Sequence, residues 1–89
     1  MEINGVNVLE KTLRENQGAD VMVYISHYLY GDQKIKTTLN YIFDDKRIGV
    51  CAGAQEIYID KKDIKNYGIK DGIYFADDVM KITIKLNRQ

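Results

Sequence analysis

VMVYISHYLY-GD-QKIKTTLNYIF, the stretch from Val21 to Phe43, decides the fold of this 89-residue chain. Its first part, Val21–Tyr30, alternates aliphatic residues with aromatic and polar ones, which is typical of a β-strand with one buried face. Gly31-Asp32 is typical of a two-residue type II′ turn, because glycine tolerates the positive φ that this turn needs. The return segment, Ile35–Phe43, alternates again. The stretch therefore predicts a β-hairpin.

The rest of the chain repeats this pattern of short strands separated by polar or glycine turns. Turns or short 3-10 steps are predicted at Asp44–Arg47, Asp60–Asp63, Asp71-Gly72 and Asp77-Asp78, and a bulge or sharp barrel corner is predicted at Ala52–Ala54. Alternation along the strands predicts one core that contains Ile25, Leu39, Ile57, Ile59, Ile82 and Ile84. We therefore expect a mainly β protein, a small SH3-like β-barrel of five to six strands that forms a single domain over residues 1–89.

One short α-helix is predicted ahead of the strands, over residues 7–18. Asn7 is a candidate N-cap with Glu10 as its capping-box partner, and Gly18 is a candidate C-terminal stop. The apolar stripe of this helix consists of Val6, Leu9 and Leu13. A helix of three turns is too short to be stable alone, so we expect it to dock on the sheet.

Composition excludes several classes of function. The chain has 13 basic and 13 acidic residues, and this zero net charge argues against a duplex-DNA binder. One cysteine excludes an internal disulfide and a multi-cysteine metal site. Because no signal peptide or apolar span is visible, we expect a cytoplasmic protein that is not attached to a membrane. The absence of proline and tryptophan is a bias typical of AT-rich genomes, such as those of low-GC bacteria or their phages.

The order of the predicted elements resembles the Sm-like family of small barrels. The residues that carry the resemblance are Ile35–Leu39, Phe43-Asp44, the return at Ile48–Val50, and Glu56–Ile64 leading into a short turn. The resemblance implies a short N-terminal helix, five strongly bent strands, assembly into a ring and RNA binding at two loops. The family's Arg-Gly step before the final strand has no counterpart in Tyr67–Ile84.

No group of residues predicts catalysis. His27 is the single histidine, and without a partner at a ligand or acid–base spacing we interpret it as a hydrogen-bonded structural residue. Cys51 lies in the apolar run IGVCAGA and is interpreted as an inert core thiol. Asp44-Asp45 and Asp77-Asp78 lack the spacing of a calcium loop and suit turns instead. We therefore expect a protein that is not an enzyme and has no cofactor or metal.

Tyrosine is the most informative residue type for function, with seven in the chain. Tyr24, Tyr28 and Tyr30 share one predicted face of the first strand. They could stack the bases of single-stranded nucleic acid with Lys34, Lys36, Lys46 and Arg47 on phosphates, form a protein interface, or serve only as strand formers. The zero net charge favours a protein partner over RNA.

The sequence thus predicts a non-enzymatic binding or assembly module that forms a homo-oligomer. It would act through the tyrosine-rich face and an edge strand, for which the proline-free Val79–Leu86 is the candidate. Two alternatives stay open. One is an Sm-like ring protein that binds RNA, and the other is a small phage-type inhibitor that docks on a host protein or sequesters a small ligand.

Overall fold

The computed structural model describes residues 3–69 and 71–86, and the side chains from Asn7 onward. Within them the chain has one helix, one 3-10 turn and eight strands. The elements are α1 (Ile3–Glu15), β1 (Asp20–His27), β2 (Gly31–Thr38), β3 (Tyr41–Phe43), β4 (Arg47–Ala52), β5 (Gln55–Asp60), the 3-10 turn Lys61–Asp63, β6 (Asn66–Ile69), β7 (Ile73–Ala76) and β8 (Met80–Leu86).

The strands form two antiparallel sheets, with five strands in the order β2-β1-β8-β7-β6 and three in the order β3-β4-β5. The predicted mainly β fold with one short N-terminal helix is confirmed. Closure into a barrel is not confirmed, because no hydrogen-bonded ladder joins the two sheets among the described residues. The strand count of five to six was too low. The segment Ile35–Phe43 is divided between the two sheets, and Asn66–Ile69 forms a further strand.

A break at Leu39-Asn40 is what divides that segment. Leu39 donates its N–H to the carbonyl of Ala19 at 2.8 Å and accepts the N–H of Gly18 at 2.9 Å. These bonds take the place of ladder bonds, while the Leu39 side chain is buried in the core. The bend therefore lies at Leu39, and the predicted corner at Ala52–Ala54 is instead the tight turn of the β4–β5 hairpin.

The core lies between the sheets and matches the predicted set closely. Five of the six strand residues expected there are buried, and Ile57 is half-buried against the same cluster. Leu9 and Leu13 of α1 are fully buried in it, as expected. Ile64, which follows the 3-10 turn, is buried too, so the turn at Asp60–Asp63 has the predicted role.

The helix differs from its prediction at both ends. It ends at Glu15 and not at residue 18, and Gly18, with a positive φ of 87°, lies in the turn that follows. Because α1 begins at Ile3, Asn7 lies inside the helix and is not its N-cap. Glu10 instead accepts a hydrogen bond from Arg14 at 2.8 Å, one turn later. Val6 lies in α1, but its side chain is not among the described side chains, which begin at Asn7. Within the described residues, the chain has no helix long and apolar enough to cross a membrane.

The final strand is central and not at an edge, which corrects the expectation for Val79–Leu86. β8 pairs with β1 on one side and with β7 on the other, so its backbone groups are occupied. Its core-facing residues Ile82 and Ile84 are buried. The outer strands are β2 and β6 in the larger sheet and β3 and β5 in the smaller one. β2 is the long one, with eight residues that are exposed or half-buried.

Candidate functional site

Three hairpin turns of the structure are stabilised in the same way. In each, a side chain at the end of one strand accepts hydrogen bonds from two backbone N–H groups of the turn. Asp44 Oδ1 accepts the N–H groups of Lys46 and Arg47 at 2.9 and 2.8 Å. Asp77 Oδ1 does the same for the second and third residues after it, at 2.9 and 2.8 Å. Both aspartate pairs are therefore turn residues, as predicted. The third turn uses an imidazole where the other two use carboxylates.

That third turn is the tyrosine loop, Tyr28–Tyr30, which connects β1 and β2. His27 Nδ1 accepts the N–H groups of Leu29 and Tyr30 at 3.0 and 3.3 Å. The same ring stacks on Tyr28, with centroids 5.7 Å apart, and makes a tilted contact with the ring of Tyr30, with centroids 4.6 Å apart. His27 is thus a hydrogen-bonded structural residue, as predicted, and it fixes the backbone and both aromatic rings of the loop.

The first strand ends at His27, three residues before the predicted end at Tyr30. The turn therefore lies at 28–30, and Gly31, with a positive φ of 81°, begins β2. Tyr24 is the only one of the three predicted tyrosines that belongs to the strand, so they do not form one row. Leu29, expected to face the core, is exposed instead, because the chain leaves the sheet before it.

The tyrosine loop is the most exposed apolar segment of the described chain. Tyr28, Leu29 and Tyr30 have 71%, 65% and 79% of their surface exposed. Val79 adjoins them, since its carbonyl accepts the N–H of Tyr28 at 3.1 Å, and it is exposed as well. Large apolar side chains that are exposed together and held in place are typical of a binding surface.

A cleft of about 300 Å³ lies beside the loop, between the outer strands β2 and β5. Ile25, Ile57 and Met80 give it an apolar lining, and Tyr30 forms part of its wall. The polar residues around it are His27, Gln33, Gln55 and Glu56. The inter-sheet cleft and the tyrosine loop therefore form one continuous surface at the same end of the two sheets.

Arg47 lies on the outer face of the smaller sheet and is engaged within the chain. Its Nε donates to Asp44 Oδ2 at 2.8 Å, and its Nη1 is 3.6 Å from Glu56 Oε1. Its guanidinium also lies 4.9 Å from the ring centroid of Tyr58. The groove along this turn, about 500 Å³ in volume, is lined by three carboxylates and two basic residues. Lys46 and Arg47 are adjacent, but the groove does not carry the basic excess that phosphates would need.

The electrostatics of this turn follow from its hydrogen bonds. The N–H of Lys46, then the Arg47 guanidinium and the Arg47 N–H, lower the pKa of Asp44 to about 2. The Asp44 carboxylate in turn raises the pKa of Arg47. This mutual stabilisation of two charges fixes the turn, and we interpret Arg47 as a structural residue.

Tyr24 belongs to a third place, the outer face of the larger sheet. The Lys85 ammonium lies 5.5 Å from the ring centroid of Tyr24. In the neighbouring strand pair, β7 and β8, the Lys81 ammonium lies 5.0 Å from the ring centroid of Tyr74. The alternation of Lys81 and Lys85 with buried isoleucines indicated that they point outward. Their position beside Tyr24 depends on the pairing of β1 with β8, which local sequence patterns do not reveal.

Cys51 is half-buried and is not part of the core cluster, because it faces away from the neighbouring core residues Ile48 and Val50 on β4. This corrects its interpretation as a core thiol. Within the described residues, no three His, Cys, Asp or Glu side chains are grouped as a metal site would require. Comparison with protein-family models, curated proteins and solved structures gives no match to this chain.

Proposed function

We propose that this chain is a non-enzymatic binding and assembly module, and that the tyrosine loop and inter-sheet cleft dock on a second copy of the chain. The observation that carries the proposal is the double role of His27, which fixes an exposed Tyr-Leu-Tyr loop by two hydrogen bonds and two ring contacts. A rigid apolar loop has little conformational entropy left to lose on binding.

Self-association is favoured because the loop and the cleft are complementary and adjacent. A two-fold axis beside them would place the loop of each copy against the apolar lining of the other's cleft. β2 continues directly from the loop, and no strand among the described residues pairs with its outer edge. An unpaired edge of eight residues can pair with the same edge of a second copy.

A small domain also benefits from such an interface. A chain of this size buries a modest share of its surface, about 60–65% of what the unfolded chain exposes, so its stability margin is thin. For the fold family we propose an open SH3-like roll. The short helix at the start, the bend at Leu39 and the 3-10 turn before β6 support it.

The test is the mass of the protein in solution, measured by light scattering from low to tens of micromolar concentration. We expect a mass that rises with concentration from one copy to two or more. Leu29→Ser and Tyr30→Ser should shift the protein towards the monomer, because they remove apolar surface without altering a buried residue. A wild-type chain that stays monomeric throughout would refute the proposal.

Val8→Ser is the matched control, because Val8 is an exposed apolar residue on the helix and belongs neither to the loop nor to the lining of the cleft. It should leave the mass unchanged. Equal loss of association in the control and in the loop variants would show non-specific hydrophobic contact and would contradict docking through the loop.

A further inference from the structure

The outer face of the five-stranded sheet carries a second, chemically different surface. Strand register places Tyr24 opposite Lys34 on one side and Thr83 on the other, and Thr83 opposite Tyr74. The residues of this tyrosine-lysine face are Tyr24, Tyr74, Lys34, Lys36, Lys81 and Lys85. They come from four different strands and lie on the side of the sheet opposite the core.

This face concentrates positive charge in a chain whose net charge is zero. All four lysines are exposed, and none forms an ion pair with a carboxylate in residues 3–69 and 71–86. The acidic residues on the same side, Asp20 and Asp32, lie at the two ends of the β1–β2 ladder. The centre of the face is therefore basic, in contrast to the mixed charges beside Arg47.

The two tyrosines supply flat aromatic surface at the centre. They are separated by β8, and neighbouring strands are about 4.8 Å apart, so their backbones are about 10 Å apart. Tyr74 lies against the backbone of Gly68, where a Cβ would be 2.8 Å from its ring atoms. Lys81 and Lys85 approach the tyrosine rings at 5.0 and 5.5 Å, and exposed lysines can move aside for a ligand.

From this arrangement we infer that the tyrosine-lysine face binds single-stranded nucleic acid, with lysines on the phosphates and Tyr24 and Tyr74 stacked on bases. Aromatic side chains on a sheet surface, surrounded by lysines, are what sequence-tolerant binding of an unpaired strand requires. An acidic protein could bind the lysines through its carboxylates, but it has no bases to stack on the two tyrosines. This surface is separate from the tyrosine loop, so the inference does not depend on self-association.

The experiment is fluorescence anisotropy of the intact protein with two labelled probes, an oligouridylate and an oligodeoxyuridylate of about 12 nucleotides each. We expect a Kd between about 10⁻⁶ and 10⁻⁴ M for at least one probe. The slope of log Kd against the logarithm of the salt concentration should be about 2–3, since each phosphate contact on a single strand contributes about 0.7 to this slope. Preference for one probe identifies RNA or DNA as the ligand.

Variants separate the two kinds of contact. Tyr24→Ala should weaken binding by about 5- to 150-fold, the range for losing one stacked base. Lys34→Gln and Lys81→Gln should weaken it and should each reduce the salt slope by about 0.7. Matched controls are Tyr58→Ala on the outer face of the smaller sheet and Lys62→Gln after β5, which should leave the affinity unchanged.

Three outcomes would overturn the inference. One is no binding of either probe at low salt with the protein at tens of micromolar. Another is equal binding of polyglutamate and the probes, which would show a general polyanion or acidic-protein surface. The third is an unchanged affinity in Tyr24→Ala that still folds, as judged by its circular dichroism.

Discussion

His27 and Tyr30 are joined twice, by rings that lie 4.6 Å apart at a tilt of 31° and by a hydrogen bond in which the Tyr30 N–H donates to His27 Nδ1 at 3.3 Å. The ring nitrogen that accepts this bond, and that of Leu29, carries no proton in this arrangement. The imidazole thus occupies the position that a carboxylate has in the turns at Asp44 and Asp77. The difference is that it also orients two exposed tyrosines.

Replacing His27 should therefore loosen the tyrosine loop without unfolding the protein. In His27→Ala the N–H groups of Leu29 and Tyr30 lose their acceptor, and we expect faster amide hydrogen exchange at both. The cost in stability should be about 1 kcal/mol, the net value of typical hydrogen bonds. His27→Asn is the control, since an amide oxygen can accept both bonds and should restore slow exchange. Fast exchange in both variants would contradict the hydrogen-bonding role.

Acid should weaken the turn at Asp44 in a defined pH range. The pKa of this carboxyl is about 2 in the folded protein and near 3.9 in an unfolded chain, so its contribution is complete above the unfolded value. It is then lost as the pH falls from about 4 to about 2. We expect the urea midpoints of wild type and Asp44→Asn to differ at pH 7 and to converge near pH 2. A constant difference over this range would exclude the carboxylate as the cause.

The core should respond to truncation according to burial. Ile82 is fully buried in the central strand β8, opposite Ile25 and Phe75 in the ladders. Ile82→Ala should cost about 2–5 kcal/mol in the free energy of unfolding, measured with urea. Ile57→Ala should cost less, because Ile57 is half-buried beside the inter-sheet cleft. Equal losses would mean that the cleft is closed in solution.

Two glycines allow close contacts, and their alanine variants should differ. At Gly49 a Cβ would clash with the carbonyl oxygen of Ile57, a backbone atom that cannot move freely. Gly49→Ala should therefore destabilise the protein by about 1–3 kcal/mol or more. At Gly68 the neighbour is the end of the Tyr74 side chain, so Gly68→Ala should be milder. Thermal unfolding of both variants measures the difference, and a milder effect at Gly49 would contradict the packing.

The sequence allowed the core and most turns to be predicted because both depend on local patterns. Alternation identified Ile82 and Ile84 as buried, and Asp71-Gly72 forms its hairpin with positive φ at both residues. The break at Leu39 could not be predicted, because it depends on hydrogen bonds to Gly18 and Ala19, some 20 residues earlier. The division into two sheets follows from that break.

The candidate site was predicted in part for the same reason. Tyr28 and Tyr30 were identified by their type, but their place in a loop depends on where His27 ends the strand. Arg47 was identified by its charge, although Asp44 and Glu56 engage that charge within the chain. The tyrosine-lysine face required the long-range pairing of β8 with β1.

That pairing also determines the order in which the larger sheet can assemble. Val23 lies opposite Ile84, about 60 residues later in the chain, so β1 stays half-paired during synthesis until β8 has emerged from the ribosome. Contacts this distant in sequence close large loops and slow folding. Until β8 pairs between β1 and β7, each of these two strands has one unpaired edge that can bind other nascent chains. The central position of β8 thus makes its late arrival the step at which this protein is most exposed to misassembly.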